Sequence, residues 1–457
     1  FVPAVSGGTA GRICVWAMLS LLLQAVLPLM AVSGGTLGAC TSSHDCALNG
    51  DCVNQTCTCD PPWRGSAGCD VLAFAAPISR EHSGYNNASA SSWGGNVVGP
   101  DASGTFHLFA AQMLKSCGLD DYGTNSAIVR ATGISADGPF AFKQIILRPF
   151  AHNPQIKRVP DAAGGGWVIF FIGSGDAKAS TVKDCTTANS VGNTATTTSL
   201  TTTTMSRSST HSAERSRRRA VVGGEIHAIW SPSLLGPWST PVPIEFNDTI
   251  PRGHNTSRWT GGGYNPSPLI AADGTTHLAV HRTFAATPGK ELLGVAVATS
   301  WRGPFTMLTA IPIKPEAGVN VLCVAGTGED PFLYRGARQH LHIVYHGMCP
   351  SGFLEAHHAF SADNGATWTV SPRQTYSYDV GFADSSSTLF ARVERPQILL
   401  DARGVPLALY NGVCDATTHG IEHVLRDTLR CWNLKQKGAG PVVSWTLARA
   451  LDQGGGG

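Results

Sequence analysis

A short phrase recurs along the chain, and each time it opens an apolar run. It consists of one or two polar residues, a proline, and then β-branched or aliphatic residues. It reads His152-Asn153-Pro154-Gln155-Ile156, Tyr264-Asn265-Pro266-Ser267-Pro268-Leu269, Glu329-Asp330-Pro331-Phe332-Leu333 and Glu394-Arg395-Pro396-Gln397-Ile398. A relative without proline, Trp93-Gly94-Gly95-Asn96-Val97-Val98, precedes them. After each phrase come turn residues such as Asp101 to Gly104, Asp273-Gly274 and Asp401 to Gly404. A second apolar run then follows: Phe106 to Ala110, Trp167 to Ile172, His277 to Val280, Leu341 to Tyr345, and Leu407 to Tyr410. Turn residues followed by runs of this length predict hairpins. A third run ends at another recurring turn, seen as Asp137-Gly138-Pro139-Phe140, Leu235-Gly236-Pro237-Trp238, Arg302-Gly303-Pro304-Phe305 and Asn364 to Trp368. The last unit lacks that turn and finishes on Val443 to Leu451.

Each unit therefore supplies about four strands, at a period of roughly 60–70 residues. A four-stranded sheet buries too little surface to stand alone, and five such sheets stack radially around a channel. The predicted fold is all-β, a five-bladed β-propeller over residues 71–452, in preference to a β-sandwich with coincidental spacing. Residues 180–219, rich in Ser and Thr, interrupt the second unit and end on Arg215-Ser216-Arg217-Arg218-Arg219. That insertion reads as a solvated loop, and residues 453–457 as a flexible tail.

Charge narrows the partners. The net charge is +2 and only 14% of residues are charged, so there is no polybasic footprint for nucleic acid. Within residues 1–39, Arg12 precedes the apolar run Ile13 to Val32, broken by Ser20, Gln24 and Pro28. Such a run is long enough to span a bilayer. Small residues at Ala31 and Ser33 also suit a secretory signal. We read it as a cleaved signal before a retained anchor; any membrane contact would run through this segment alone. Either way the rest is expected to be secreted or on the cell surface. Asn54, Asn87, Asn247 and Asn255 each open an acceptor sequon for glycosylation.

Cysteines carry the next signal. Cys40, Cys46, Cys52, Cys57, Cys59 and Cys69 crowd residues 40–70, a segment too short and polar to fold without cross-links. Zinc would want matched pairs, and these spacings do not match. Six cysteines allow fifteen pairings, and spacing alone cannot choose among them. However, Asp45-Cys46 through Asn49-Gly50-Asp51-Cys52, then Cys57-Thr58-Cys59 with Trp63 and Gly65 before Cys69, resembles an epidermal-growth-factor-like (EGF-like) module. The resemblance implies Cys40–Cys52, Cys46–Cys57 and Cys59–Cys69, without calcium. In the propeller, Cys414–Cys431 and Cys323–Cys349 are nearest in sequence, leaving Cys117–Cys185.

The innermost strand of each blade lines the axis, so the residues that open each repeat converge at one place. Candidates for holding a ligand are Trp93, Asn96, His152, Asn153, Tyr264, Asn265, Arg282, His346 and Arg395, with His281 and Asn411 beside them. Aromatic faces with amides, carboxylates and an arginine suit a sugar. The five units resemble the five-bladed glycoside hydrolase superfamily of arabinanases, family 43 xylosidases and arabinofuranosidases, invertases and levansucrases. That resemblance implies hydrolysis of O-glycosidic bonds by two carboxylates at the axis. The superfamily takes its carboxylates from the first three blades, where this chain offers Asn96, Asn153 and Asn265. Asparagine is neither acid nor base near neutral pH. The carboxylates lie instead in the last two units: Glu329 as candidate acid and Asp330 or Glu394 as base, with Asp120 and Asp121 as outlying candidates. The partner is then an oligo- or polysaccharide, glycoprotein glycans included. The alternative is an inactive, lectin-like surface protein. No cofactor and no metal site is predicted, with a cation in the channel left open.

Overall fold

The computed structural model describes residues 39–87, 89–176, 179–185, 225–247, 259–284, 291–309, 313, 328–348, 354–414 and 444–454. The apolar run 13–32, Cys323, Cys349, Cys431, Asn255 and the basic cluster at 215–219 lie outside them. Among the described residues no helix is long and apolar enough to cross a membrane.

Five antiparallel sheets follow one another along the chain. Blade one consists of Ser92–Val98, Phe106–Met113, Ser126–Gly133 and Ala141–Leu147. Blade two has His152–Arg158, Trp167–Ile172, Ile226–Ser231 and Val242–Pro243. Blade three has Trp259–Ile270, Thr276–Phe284, Glu291–Ala298 and Phe305–Met307. Phe246–Asn247 adds a parallel outer strand to it. Blade four has Gly328–Arg335, Leu341–Met348, Leu354–Ser361 and Thr369–Val370. Blade five has Arg392–Leu400, Pro406–Cys414 and Ser444–Ala450. The first strands of all five touch in a closed ring, which makes the fold a five-bladed β-propeller.

The unbroken apolar runs follow from burial on both faces. In Trp167–Ile172, Val168 and Phe170 point into the core shared with blade three, while Ile169 and Phe171 point into the core shared with blade one. The aspartates after the first strands are turn-makers. Asp101, Asp273 and Asp401 each accept the N–H two residues ahead, from Ser103, Thr275 and Arg403.

Blade five differs from the sequence expectation. Among the described residues it supplies three strands of its own, and the chain before blade one pairs with the last of them. Tyr85 and Thr446 exchange backbone hydrogen bonds of 2.8 and 3.2 Å. Ser83 Oγ donates to the Ala448 carbonyl at 2.6 Å and accepts the Ala448 N–H at 3.2 Å. The final unit lacked the fourth-strand turn because that strand arrives from the other end of the chain. The Tyr85 ring lies in the core between blades one and five, and its hydroxyl donates to Gln112 Oε1 at 2.6 Å.

The segment 40–72 is a small module of two hairpins, Gly50–Val53 with Thr56–Cys59 and Trp63–Arg64 with Val71–Leu72. Its bonds are Cys40–Cys52, Cys46–Cys57 and Cys59–Cys69. It docks on the edge of blade four, where Arg338 grips both Asp51 and Asp60, and Arg373 meets Asp70 at 2.6 Å. Asn54 is exposed at the tip of its first hairpin, and Asn247 is exposed on blade three. Cys117–Cys185 joins blade one to the chain leaving blade two, and Cys414 is also disulfide-bonded.

Tyr85→Ala removes a buried ring and the closing hydroxyl bond, and should cost about 3–5 kcal/mol. Tyr85→Phe should cost about 1 kcal/mol. Urea-unfolding midpoints check both, and an unchanged midpoint for Tyr85→Ala would show that the ring is not closed here.

Candidate functional site at the propeller axis

Each recurring phrase forms the same local structure. In every inner strand two residues face one on the neighbouring strand, a β-bulge. Register runs from Trp93↔Ala111 to Asn96↔Phe109 and from His152↔Ile172 to Gln155↔Phe170. It skips likewise between Tyr264 and Ser267, Glu329 and Phe332, and Glu394 and Gln397. The first bulged residue adopts the left-handed conformation, with φ of 60° at Gly94, 54° at Asn153, 50° at Asn265, 52° at Asp330 and 50° at Arg395. Asn and Asp tolerate that region, whereas an arginine there is uncommon and must be held by its surroundings. The following proline lacks an N–H, which suits the free inner edge of a sheet.

The bulges turn four side chains toward one another on the axis. Arg395, completely buried, donates to Asp330 Oδ1 at 2.9 Å and to the Asn153 carbonyl at 2.6 Å. Asn153 Nδ2 donates to Asn265 Oδ1 at 2.8 Å and lies 3.5 Å from Asp330 Oδ1. Asn265 Nδ2 donates in turn to Glu329 Oε1 at 3.1 Å. Blade one contributes Gly94, where a Cβ would stand 2.6 Å from Arg395 Cδ. Glycine there leaves room for the arginine to cross.

This geometry corrects the sequence alignment of blade one. Gly94, not Asn96, is the counterpart of Asn153 and Asn265. Asn96 sits one layer deeper, where its Oδ1 accepts the Ile156 N–H at 2.9 Å and clasps blade two. Ser267 does the same for the Leu333 N–H at 2.8 Å. In that layer Gln397 is buried and neither of its amide atoms has a hydrogen-bond partner. Trp93 is also placed otherwise than expected. It is buried with Ala111, Met113, Cys117 and Leu119 and offers no open face for stacking.

Above the axial network the remaining candidates gather. Glu329, with 27% of its side chain exposed, has His281 Nδ1 at 3.7 Å and His346 Nε2 at 3.8 Å. His346 Nδ1 also lies 3.6 Å from Asp330 Oδ2. Glu394 Oε1 accepts from Arg392 Nη1 at 2.7 Å, and Asn411 Nδ2 reaches the Glu394 carbonyl at 3.4 Å. His152 bonds Ser126 Oγ through Nδ1 at 2.7 Å. Burial, with the nearby Arg395 charge, pushes its pKa down to about 3 and keeps the ring neutral. Tyr264 pairs in register with His281 and is partly buried. Arg282 is buried with its guanidinium 4.3 Å from the centre of the Phe246 ring.

Two neighbours were not singled out from the sequence. Arg392 stands two residues before Glu394, outside the recurring phrase. Tyr122 packs against His152 at a tilt, with ring centres 4.9 Å apart, from a loop tied down by Cys117–Cys185. A polar loop just after Cys117 was the only signal for it. Asp121, an outlying candidate, is paired with Lys183 at 3.3 Å.

Among the described residues, Asp330, His346 and Glu394 each offer one atom within 4.8 Å of the others. Such an oxygen and nitrogen set suits a hard divalent cation. Arg395 on Asp330 and Arg392 on Glu394 occupy the same carboxylates with positive charge.

No family model and no curated protein matches the chain. Among solved structures it is similar to an α-L-arabinofuranosidase from Podospora anserina in complex with cellotriose. There the identity is 10% over 84% of this chain and 98% of that one, with a TM-score of 0.47. It is also similar to the catalytic domain of a family 62 α-L-arabinofuranosidase from Coprinopsis cinerea, at 10% identity, coverage of 84% and 98%, and a TM-score of 0.46. An α-L-arabinofuranosidase from Lactobacillus brevis matches at 11% identity, 80% and 92% coverage, and 0.43. At these values the likeness carries no inference about residues or activity; the fold rests on the strand order.

Arg395→Met should destabilise the propeller by about 3–5 kcal/mol, because Asp330 would be left buried without its partner. Adding Asp330→Asn should restore part of that loss. Thermal unfolding of the single and double variants checks the coupling, and strictly additive losses would show that the pair is not coupled.

Proposed function

We propose that the axial end of the propeller binds a carbohydrate and holds it without cleaving it. The observation that carries this reading is the engagement of the carboxylates. Asp330 and Glu394 each give an oxygen to a guanidinium, and Glu329 gives one to the Asn265 amide. Two-carboxylate hydrolysis asks one carboxyl to face the glycosidic oxygen and a second to face water or the anomeric carbon. Here arginines are bonded to two of the three carboxylates.

Support for a sugar as ligand comes from the donor set. Amides, imidazoles and carboxylates from blades two to five meet within a small region, and hydroxyl groups need such alternating donors and acceptors. Asn153 Oδ1 is buried without a hydrogen-bond partner, an acceptor suited to a hydroxyl. We place the chain in an oxidising, exported setting, a reading supported by the four disulfides among its described residues.

A second reading, hydrolysis with Glu329 as acid and Glu394 as base, is favoured by one observation. Glu329 is the more exposed carboxylate and stands between two imidazoles, at 3.7 and 3.8 Å.

A glycan array and a panel of chromogenic arabinosides, xylosides, fructosides, galactosides and mannosides separate the two. The full chain should bind a defined glycan and turn nothing over, and Glu329→Gln should weaken binding about tenfold, or about 1.4 kcal/mol. Turnover that disappears in Glu329→Gln would replace binding with hydrolysis. Absence of both binding and turnover would overturn both readings.

A further inference from the structure

The contact between the disulfide-rich module and blade four contains a row of buried rings that serves no obvious need of either partner. Trp63 of the module covers His358 at 4.7 Å between ring centres. His358 stacks on His342 at 5.2 Å, and His342 stacks on Tyr334 at 5.3 Å. Both histidines are buried, in a contact also held by salt bridges and by apolar side chains of the module and blade four.

Their hydrogen bonds leave no place for an added proton. His342 Nδ1 and His358 Nε2 are 3.0 Å apart, so one carries hydrogen and the other does not. His358 Nδ1 meets Ser371 Oγ at 3.0 Å. His342 Nε2 is buried without a hydrogen-bond partner, and Gly336 stands against it. A bare lone pair in that position costs less than an unpaired N–H. We therefore assign hydrogen to His342 Nδ1, which donates to His358, and to His358 Nδ1, which donates to Ser371. A second proton on His342 would bury an unpaired cationic N–H. A second proton on His358 would set two N–H groups face to face.

We propose that this contact is an acid-sensitive latch, which lets the module leave the edge of blade four as pH falls toward about 5 while the propeller ring stays closed. The groups that face it act in one order. Burial, with the His358 and His340 charges beside it, holds His342 well below the ordinary histidine range, and burial alone holds His358 at about 3. Once Trp63 lifts, the pair is open to solvent and takes protons near the usual value of about 6.5. Docking is therefore at full strength above that value and weakens below it, by up to about tenfold per pH unit for each histidine. The Asp51–Arg338 pair does not fail in the same window. Asp51 is held below the usual carboxylate range by its bonds to Arg338, which also grips Asp60, and Arg373 meets Asp70. His44 of the module lies at the rim, 3.4 Å from Thr369 Oγ1 and edge-on to Phe360. The segment 79–85, the strap that joins the module to the propeller, is held by backbone bonds between Tyr85 and Thr446, which carry no titrating group.

Hydrogen exchange on the full, oxidised chain at about pH 7 and about pH 5, corrected for intrinsic rates, tests the latch. The Leu72 N–H, which bonds the Thr375 carbonyl, and the strand Leu354–Ser361 should lose at least about tenfold protection in acid. The Tyr85 and Thr446 amides should not change. In His342→Phe/His358→Phe, which keeps the stacked rings and removes the protons, the acid response should vanish. Equal protection at both pH values would overturn the proposal, as would an acid response that persists in the double variant. Should that variant misfold, imidazole proton shifts in the native chain decide the matter. Titration of His342 and His358 near pH 6.5 with the module still docked would overturn the latch, and protonation that sets in only together with undocking of the module would support it.

Discussion

A guanidinium on the axis of a ring of sheets has no water to turn to, and much of this propeller is arranged around satisfying it. Arg395 reaches across the centre to the Asp330 carboxylate and the Asn153 carbonyl, so blades two, four and five share one charged bond. The left-handed bulges exist to aim these side chains inward, and the glycine of blade one exists to let the arginine pass. Taking either charge away leaves the other stranded at low dielectric, a loss of several kcal/mol rather than the small net gain of a surface pair. The channel floor is thereby a bonded plate, and any ligand must work from its upper side.

Much of the fold was legible because proline and left-handed Asn or Asp punctuate each inner strand in the same place. The repeats, the turn aspartates and the inward direction of the phrase all follow from that punctuation. Where the punctuation changed, the reading slipped. Gly94-Gly95 does the work of Asn-Pro, so Asn96 was matched to the wrong layer. Trp93 was read as an exposed aromatic because nothing in the local pattern tells a core tryptophan from a stacking one. The fourth strand of blade five could not be found near the other three, since it lies hundreds of residues away in sequence. The carboxylates of blades four and five were visible as residue types. Their arginine partners were not: Arg392 lies outside the phrase, and the reach of Arg395 depends on a bulge geometry that spacing does not encode.

The same site explains why charge counting alone would mislead. Three carboxylates at an axis suggest acid and base chemistry, yet two of them neutralise arginines and the third is bonded to an amide. Positive and negative groups are almost evenly matched there, which favours a neutral, hydroxyl-rich ligand over a strongly charged one. The small cross-linked module plays no part in this balance. It is fastened to blade four through Arg338 and Arg373, away from the axis.

Closure by the strap sets a timetable for synthesis. Ser83 is bonded to Ala448, 365 residues further along the chain. At ribosomal rates of about 5–20 residues per second, the strap waits about 20–70 seconds for its partner strand to be made. During that interval the strap has no sheet to join. The strap's own residues, Ser79-Arg80-Glu81-His82-Ser83-Gly84, are polar and charged. A nascent segment of that composition stays hydrated and unpaired until the last blade emerges to receive it.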